Sequence, residues 1–298
     1  VLMQTLVVGL GSMGFGAAVS CVRAGIDTAG FDVNLEALKR FQASGGKPIE
    51  SLDTCHDIDC VLIFVVNATQ AESVLFGSGL QSGLKPNALI INCVTLAPSK
   101  AVEIASKLDS MGFRYIDAPV SGGAAKALDG RMSIMASGPP PAMADAKPIF
   151  DAISEHVFAL GDEPGQGSQM KLINQLLAGV HIAATAEAMN LANSLDMDLH
   201  QVIDVISKCA GSSWMFENRA PHIADGDYSP LSSVNIFVKD LGIVTDEAVG
   251  NGVVTPLSNA ALALYREASE IGLGGEDDSA VVKVLARQSK VTLPGSKT

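Results

Sequence analysis

A short apolar run near the start of the chain leads directly into a glycine-rich turn. Residues 6–8 are followed by residues 9–14, which read G-L-G-S-M-G, and Asp32 ends the next strand-like run. In a strand–turn–helix unit, the first glycine permits the tight turn, the second lets a pyrophosphate approach the backbone, and the third lets the helix pack closely on the strand. The N-terminus of that helix offers unpaired N–H groups to phosphate oxygens. The feature therefore predicts a dinucleotide-binding unit.

Asp32 stands where an acid can accept hydrogen bonds from both ribose hydroxyls of NAD. A carboxylate there would repel the 2′-phosphate of NADP, and none of the next three residues is an arginine. Lys39 and Arg40 lie on the predicted following helix, and we expect their side chains to point away from the site. The sequence therefore predicts NAD as the cofactor.

Strand-like and helical runs alternate through the first half of the chain. Helices are predicted at residues 12–24, 35–43 and 99–110, and they separate apolar strand-like runs. This alternation is typical of a parallel sheet covered by helices on both faces. The strand-like runs are residues 6–8, 28–31, 61–66, 88–93, 114–116, 132–136 and 156–159.

The second half shows no convincing strand pattern after residue 167. One long helix is predicted from Ser168 to about Leu195, and shorter ones follow around residues 199–208, 235–249, 257–271 and 278–288. The predicted fold class is therefore an α/β domain of the Rossmann type, residues 1–163, joined by a long helix to an all-α domain, residues 164–298. We expect the second domain to serve substrate binding and dimerisation.

The composition excludes several classes of partner. The chain of 298 residues has a formal net charge of −12 and no basic cluster, which argues against nucleic acid and anionic membranes. Its longest apolar run, residues 60–66, is far short of the roughly 20 residues that a membrane span needs. Because 48% of the residues are hydrophobic and small residues are frequent in the second half, we expect a homodimer or homotetramer.

The five cysteines form no C-x-x-C pair. Cys55, His56 and Cys60 lie close together in the sequence, but their spacing fits none of the common zinc patterns, so no metal site is predicted. Reduced, buried thiols and the lack of a basic segment before the first strand favour a cytoplasmic protein without a signal peptide.

Residues 117–123 read D-A-P-V-S-G-G and follow a predicted strand. Ligands gather at the carboxyl ends of the strands in an open parallel sheet. Consecutive small residues there leave backbone N–H groups accessible to a carboxylate or a phosphate. From the residues alone, an anion site and a glycine turn without a ligand remain equally open.

Lys171 and Asn174 lie three residues apart near the start of the long helix, so they face the same side of it. The positive end of a helix disfavours the protonated form of a lysine, and burial in an apolar cleft would act in the same direction. A neutral lysine can act as a base. On spacing alone, however, a solvated lysine at the helix surface is the favoured interpretation.

Two further segments combine charged and apolar residues. Lys239 and Asp240 form an adjacent pair between apolar neighbours, which indicates either an inward-facing site or an exposed helix. Trp214 and Arg219 lie in a segment that could line a pocket or cap a helix junction.

Taken in order, these segments resemble the β-hydroxyacid dehydrogenase family, which includes enzymes acting on 3-hydroxyisobutyrate and tartronate semialdehyde. The family's G-x-G-x-M-G matches residues 9–14, and its D-A-P-V-S-G-G matches residues 117–123 letter for letter. Its G-x-G-x-x-x-K-x-x-N matches residues 165–174, and its K-D pair matches Lys239 and Asp240. The resemblance covers the whole chain and reverses the interpretation of Lys171 as a solvated residue.

The resemblance implies an NAD-dependent oxidoreductase that acts on the CH–OH group of a small anionic hydroxy acid. It makes Lys171 the general acid/base and gives Asn174 an orienting role, with the site in a cleft that excludes water. The family has Ser-Thr after the strand that contacts the nicotinamide, whereas this chain has Val94-Thr95, so only the threonine carries over. The implied substrate contacts are Ser121, Gly122, Gly123, Lys239 and Asp240, and the implied cofactor contacts are Gly9, Leu10, Gly11, Ser12, Met13, Gly14, Asp32, Asn67, Thr95 and Lys239.

Within the family, the resemblance is strongest to the branch that oxidises the 2-hydroxyl of L-threonate, a sugar acid, to 2-dehydro-L-erythronate. Residues 175–184 carry it most clearly, and residues 213–219, 276–280 and 292–295 add to it. Oxidation of 3-hydroxyisobutyrate and reduction of tartronate semialdehyde are the alternatives. An imine reductase of related fold would lack the lysine, and an NAD-binding regulator that had lost catalysis would have lost Lys171 or Asn174, which are both present.

Overall fold

The computed structural model describes residues 3–295 and divides the chain into two compact units. The first unit ends at Lys171 and the second begins at Leu172. This division falls inside the long helix, eight residues beyond the boundary predicted after residue 163, because the start of that helix packs with the first unit.

The first unit is built on two sheets and six shorter helices. The strands are β1 Gln4–Val8, β2 Asp27–Phe31, β3 Lys47–Pro48, β4 Ile58–Ile63, β5 Leu84–Asn92, β6 Arg114–Asp117, β7 Val120–Ser121, β8 Met132–Ala136 and β9 Ser154–Ala159. The helices are α1 Gly14–Arg23, α2 Leu35–Ala43, α3 Ala68–Glu72, α4 Pro98–Ser110, α5 Gly123–Asp129 and α6 Pro140–Ile153. Short 3₁₀ turns at Leu52–Thr54 and Leu80–Gly83 and a π-turn at Ser73–Gly77 complete it.

Six of the strands form one parallel sheet in the order β3-β2-β1-β4-β5-β6. The chain runs outward from β1 to β3 and then returns to the other side of β1, so the strand order reverses between β1 and β4. A reversal of this kind opens a crevice at the carboxyl ends of the strands, where ligands bind in such sheets. The predicted parallel sheet is confirmed.

Both faces of this sheet are covered, which explains the continuous apolar runs in β1, β4 and β5. Val7 and Leu62 pack in one buried cluster with residues of α1 and α6, whereas the alternate residues Leu6 and Val61 pack in a second cluster with residues of α4. Each fully buried side chain of this size contributes about 1.5–3 kcal/mol of transfer free energy. The two cores hold the strand ends in fixed positions.

The strands β8 and β9 do not join the large sheet. They form a separate three-stranded sheet, in which β7 pairs antiparallel with β8, and β8 pairs parallel with β9. Pro119 follows β6 and has no N–H group with which to extend that strand in a ladder. The chain therefore leaves the large sheet at this point, and the two-residue strand β7 begins the second sheet.

The second unit is helical, as predicted. The long helix α7 spans Gln166–Ser194 and is followed by α8 Leu199–Ile206, α9 Trp214–Asp225, α10 Val234–Gly250, α11 Pro256–Ala268 and α12 Val282–Ser289, with a π-turn at Ser269–Leu273 and a 3₁₀ turn at Asp278–Val281. Tyr265 is fully buried, stacks on Phe237 at 5.3 Å and donates a hydrogen bond of 3.0 Å to the carbonyl of Gly179. These contacts tie α7, α10 and α11 into one core.

Helix α9 was predicted only as a segment that lines a pocket or caps a junction. Ser213 starts it by accepting a hydrogen bond from the N–H of Phe216.

None of the helices within residues 3–295 is long and apolar enough to cross a membrane.

Candidate active site

Four predicted cofactor residues lie just beyond the carboxyl ends of adjacent strands. Asp32 follows β2, Gly9 follows β1, Asn67 follows β4 and Thr95 follows β5. Because β2, β1, β4 and β5 are neighbours in the sheet, these residues form a row along one edge of it. The reversal of strand order between β1 and β4 lies at the centre of this row, which is where ligands bind in such sheets.

The glycine turn has the close backbone packing that a dinucleotide site requires. A side chain on Gly14 would place its Cβ 1.8 Å from the carbonyl oxygen of Gly9, so only glycine fits there. A Cβ built on Gly11 would meet no atom within 4 Å, so the space above it is open to a ligand. The residues present therefore fit a bound pyrophosphate.

A cavity of about 380 Å³ opens beside this turn, and Asp32 lines it. Both carboxylate oxygens of Asp32 accept backbone hydrogen bonds, one from Leu10 at 2.6 Å and one from Asn34 at 2.8 Å. The acid is thereby held at the mouth of the glycine turn. The cavity is lined by Leu10, Gly11, Ser12, Phe15, Gly16, Asp32, Asn34, Ala37, Arg40, Ala124 and Leu128.

The expectation that Arg40 points away from this site is wrong. Its guanidinium lies over the ring of Phe15, at 4.3 Å from the ring centroid, and the residue lines the cavity. Arg40 follows Ala37 by three residues, so both project from the same side of α2. Lys39 projects elsewhere and pairs with Glu36 at 2.7 Å.

Asn67 and Thr95 have local roles in the structure. The side chain of Asn67 starts α3 by accepting a hydrogen bond of 2.9 Å from the N–H of Gln70. Thr95 is half-buried in the loop between β5 and α4. Their contacts with a cofactor stay predictions.

The segment from Asp117 to Gly123 forms a strand–turn–helix junction. Val120 and Ser121 form β7, and α5 begins at Gly123. Gly122 and Gly123 have φ angles of +133° and +75°, a conformation that side-chain-bearing residues rarely adopt. The turn therefore depends on the two glycines that the motif supplies.

Lys171 lies against this same segment. Its side chain is buried, with 7% of its surface exposed, and its Nζ donates a hydrogen bond of 2.7 Å to the carbonyl oxygen of Val120. The two predicted motifs, which are 51 residues apart in the chain, thus meet in the first unit. A solvated lysine is not what the structure shows.

The start of helix α7 is held by a buried acid that sequence reasoning did not single out. Asp117 accepts hydrogen bonds from the N–H groups of Gly165 and Ser168 at 3.0 and 2.7 Å and from the hydroxyl of Ser168 at 2.8 Å. Ser137 adds a fourth contact, because its hydroxyl accepts from the N–H of Gly167 at 2.9 Å. Burial raises the pKa of Asp117, and the three hydrogen bonds act in the opposite direction.

The second unit contains a polar network of its own. Asn174 donates to the side-chain oxygen of Gln175 at 2.8 Å, and Gln175 donates to Oδ2 of Asp240 at 2.5 Å. Nζ of Lys239 lies 2.6 Å from Oδ1 of Asp240 as an ion pair, without the alignment of a hydrogen bond. The predicted residues Asn174, Lys239 and Asp240 are therefore linked through Gln175, which sequence reasoning did not assign to the site.

The cysteines contribute no reactive group to these sites. Four of the five are buried, and burial raises the pKa of the Cys21 thiol to about 12. Cys55 and Cys60 pack in the hydrophobic interior, and residues 3–295 contain no cluster of three side chains suited to a metal ion.

Two family models together match nearly the whole chain. Residues 4–161 match the NAD binding domain of 6-phosphogluconate dehydrogenase, and residues 165–285 match the NAD-binding domain of NADP-dependent 3-hydroxyisobutyrate dehydrogenase. This chain belongs to the β-hydroxyacid dehydrogenase family. The membership confirms the predicted fold class, the NAD cofactor and the assignment as an oxidoreductase acting on a small hydroxy acid.

Several relatives match over almost their full length. The L-threonate dehydrogenase of Haemophilus influenzae is 48% identical over 97% of this chain and 96% of its own. The NAD-dependent L-serine dehydrogenase of Pseudomonas aeruginosa is 30% identical over 94% of this chain and 97% of its own. A crystal structure described as 3-hydroxyisobutyrate dehydrogenase from Salmonella typhimurium superposes with a TM-score of 0.91 at 46% identity, covering 95% of this chain and 99% of that one.

Proposed function

We propose that this β-hydroxyacid dehydrogenase oxidises the 2-hydroxyl of L-threonate to 2-dehydro-L-erythronate. The substrate assignment is supported by relatives named L-threonate dehydrogenase, such as those of Haemophilus influenzae and Escherichia coli, which are 47–48% identical to this chain over nearly its whole length. The observation that carries the chemistry is the buried amine of Lys171, held 2.7 Å from the Val120 carbonyl beside the D-A-P-V-S-G-G segment.

In the proposed reaction, Lys171 accepts the proton of the 2-hydroxyl as a hydride leaves the same carbon. When bound, NAD supplies the hydride acceptor. The substrate carbon is thereby oxidised to a ketone, because it loses two electrons with the hydride. In the reverse direction Lys171 returns the proton to the carbonyl oxygen.

The remaining residues of the site bind and orient. The hydroxyl of Ser121 and the N–H groups of Gly122 and Gly123 hold the substrate carboxylate in this proposal, and the pair of positive φ angles supports an open turn there. Asn174 orients the substrate or the lysine. Lys239 contacts the cofactor and the substrate, and Asp240 contacts the substrate, roles that rest on the family resemblance.

The catalytic assignment is tested by the variant Lys171→Ala. Loss of a general base lowers the rate by about 10²–10⁴-fold. We therefore expect kcat to fall by that factor while the affinity for NADH, measured by its fluorescence, stays unchanged. Lys147→Ala is the matched control, because Lys147 is an exposed lysine of the same unit that pairs with Asp151 on α6. Near-full turnover of Lys171→Ala with intact cofactor binding would contradict the assignment.

The substrate is tested by a steady-state comparison of short hydroxy acids. We expect L-threonate to have a higher kcat/KM than D-erythronate and 3-hydroxyisobutyrate. Tartronate semialdehyde is measured in the direction of reduction, and its kcat/KM is expected to be lower as well. The second candidate is 3-hydroxyisobutyrate, favoured by the solved structure of that description at 46% identity. A higher kcat/KM for 3-hydroxyisobutyrate would replace L-threonate by that substrate.

We also propose that the protein is a cytoplasmic homodimer or homotetramer. An exposed apolar stripe on α7 supports self-association. Its members are 45–60% exposed: Met170, Ile173, Leu177 and Leu191. All five cysteines are free, which is usual in a reducing compartment. Sedimentation equilibrium tests the assembly, and a monomer at micromolar concentration would refute it.

A further inference from the structure

The cavity beside the glycine turn is lined by two charged side chains of opposite sign. Asp32, just after β2, and Arg40, on α2, both line it. The acid is the group expected to bind the ribose hydroxyls and to exclude a 2′-phosphate. The arginine raises the question of what the same cavity would bind if the acid were neutral.

Arg40 is available for an anion. Within residues 3–295 its guanidinium has no ion pair and no hydrogen bond. Glu36, the acid on the same helix, pairs with Lys39 instead. The guanidinium lies 4.3 Å from the centroid of the Phe15 ring. Stacking on a ring occupies the face of a guanidinium and leaves the N–H donors at its edge, which suit the oxygens of a phosphate.

Asp32 is held independently of Arg40. Its two oxygens accept backbone hydrogen bonds from Leu10 and Asn34, so the carboxylate stays at the mouth of the turn without a cationic partner. An asparagine at this position would lose the negative charge and one of the two backbone hydrogen bonds, while its amide oxygen would keep the other. The two charges of the cavity can therefore be changed separately.

We propose that Arg40 is a specificity-determining residue for the cofactor, namely a preformed anchor for a phosphate on the 2′-oxygen of the adenosine ribose. Selectivity for NAD then depends on Asp32 alone, whose charge excludes the phosphate that Arg40 would otherwise bind. The proposal concerns the cofactor end of the site and holds whichever hydroxy acid is the substrate.

The test is a double-mutant cycle read out by binding rather than turnover. Calorimetric titration with adenosine 2′,5′-bisphosphate is compared with titration with 5′-AMP in the wild type, Asp32→Asn, Arg40→Ala and Asp32→Asn/Arg40→Ala. We expect Asp32→Asn to bind the bisphosphate about 10–100-fold more tightly than the wild type, the range expected of hydrogen bonds between charged groups. Adding Arg40→Ala removes that gain, while the affinity for 5′-AMP changes by less than about threefold.

Lys39→Ala in the Asp32→Asn background is the matched control, because Lys39 is the neighbouring cation on α2 but does not line the cavity. The gain is expected to persist in this variant. The proposal is overturned if Asp32→Asn/Arg40→Ala binds the bisphosphate as tightly as Asp32→Asn, or if Lys39→Ala abolishes the gain equally. Should Asp32→Asn not fold, Asp32→Ser and Asp32→Ser/Arg40→Ala are compared in the same way, and equal affinities of these two variants for the bisphosphate refute the anchor.

Discussion

The variant Asp117→Ala tests whether the start of helix α7 depends on one buried carboxylate. The substitution leaves three buried donors without an acceptor: the N–H groups of Gly165 and Ser168 and the hydroxyl of Ser168. An unsatisfied buried donor costs about 1–3 kcal/mol, so the loss is about 3–9 kcal/mol. Since whole domains are stable by about 5–15 kcal/mol, this variant is expected to unfold at much lower urea concentration or not to accumulate in folded form.

Two milder variants separate the charge from the hydrogen bonds. Asp117→Asn can keep all three contacts, because the amide oxygen takes the place of Oδ2 and the amide nitrogen donates to the hydroxyl of Ser168. Burial raises the pKa of Asp117, so the neutral amide escapes a cost that the carboxylate bears at pH 7, and we expect its stability to stay within about 1 kcal/mol of the wild type. Ser168→Ala removes one donor and is expected to cost about 1–2 kcal/mol.

The stabilities are measured as urea midpoints with the corresponding m-values. Activity gives a second readout, because Ser168 lies one helical turn before Lys171. A loosened helix start misplaces the amine, and we expect Ser168→Ala to lose about tenfold or more in kcat with unchanged affinity for NADH. A urea midpoint for Asp117→Ala equal to that of Asp117→Asn would refute the anchoring role.

Two further predictions concern charges in the second unit. The pKa of Asp278 is raised from its usual 3.8 to about 6, mainly by burial. Between about pH 4 and 6 the folded state therefore binds more protons than the unfolded state. The free energy of unfolding falls as the pH rises through that window. In Asp278→Asn, the urea midpoint should change less with pH between pH 4 and 7 than in the wild type. An unchanged pH dependence would show that another group causes it. Asp240 is 2% exposed, and Lys239→Ala leaves it without its counter-ion, so we expect the free energy of unfolding to fall by about 3 kcal/mol. The double variant Lys239→Ala/Asp240→Asn should regain most of this loss. Equal urea midpoints for the single and double variants would contradict the ion pair.

The large sheet could be predicted because its determinants are local. Apolar strands such as residues 58–63, separated by amphipathic helices such as α2, are visible in the sequence within a few residues. The two-residue strands β3 and β7 were not predicted, because two residues carry no periodicity. The separate sheet of β7, β8 and β9 was missed for the same reason, since its antiparallel partner is the short strand β7.

The direction of Arg40 required a precision that sequence patterns do not give. Helix α2 starts at Leu35 after Asn34, whose side chain accepts a hydrogen bond from Glu36 and sets the first turn. With that start, Arg40 lies on the side that faces Phe15, whereas Lys39 is rotated by about 100° to the surface. A shift of one residue in the helix would have exchanged the two side chains.

The anchoring role of Asp117 shows why a motif can be recognised before its mechanism is understood. Asp117 contacts Ser168, and Val120 contacts Lys171, so both contacts join residues 51 positions apart. Three residues advance about 4.5 Å along a helix but about 10 Å along an extended strand. The step from Ser168 to Lys171 is therefore shorter than the step from Asp117 to Val120. Both contacts can form only if the side chains that make them differ in length. The short carboxylate at one position and the long lysine at the other supply that difference. The spacing of the D-A-P-V-S-G-G segment therefore fixes where the amine lies, and a residue inserted between Asp117 and Val120 would separate the lysine from its carbonyl even with every functional side chain retained.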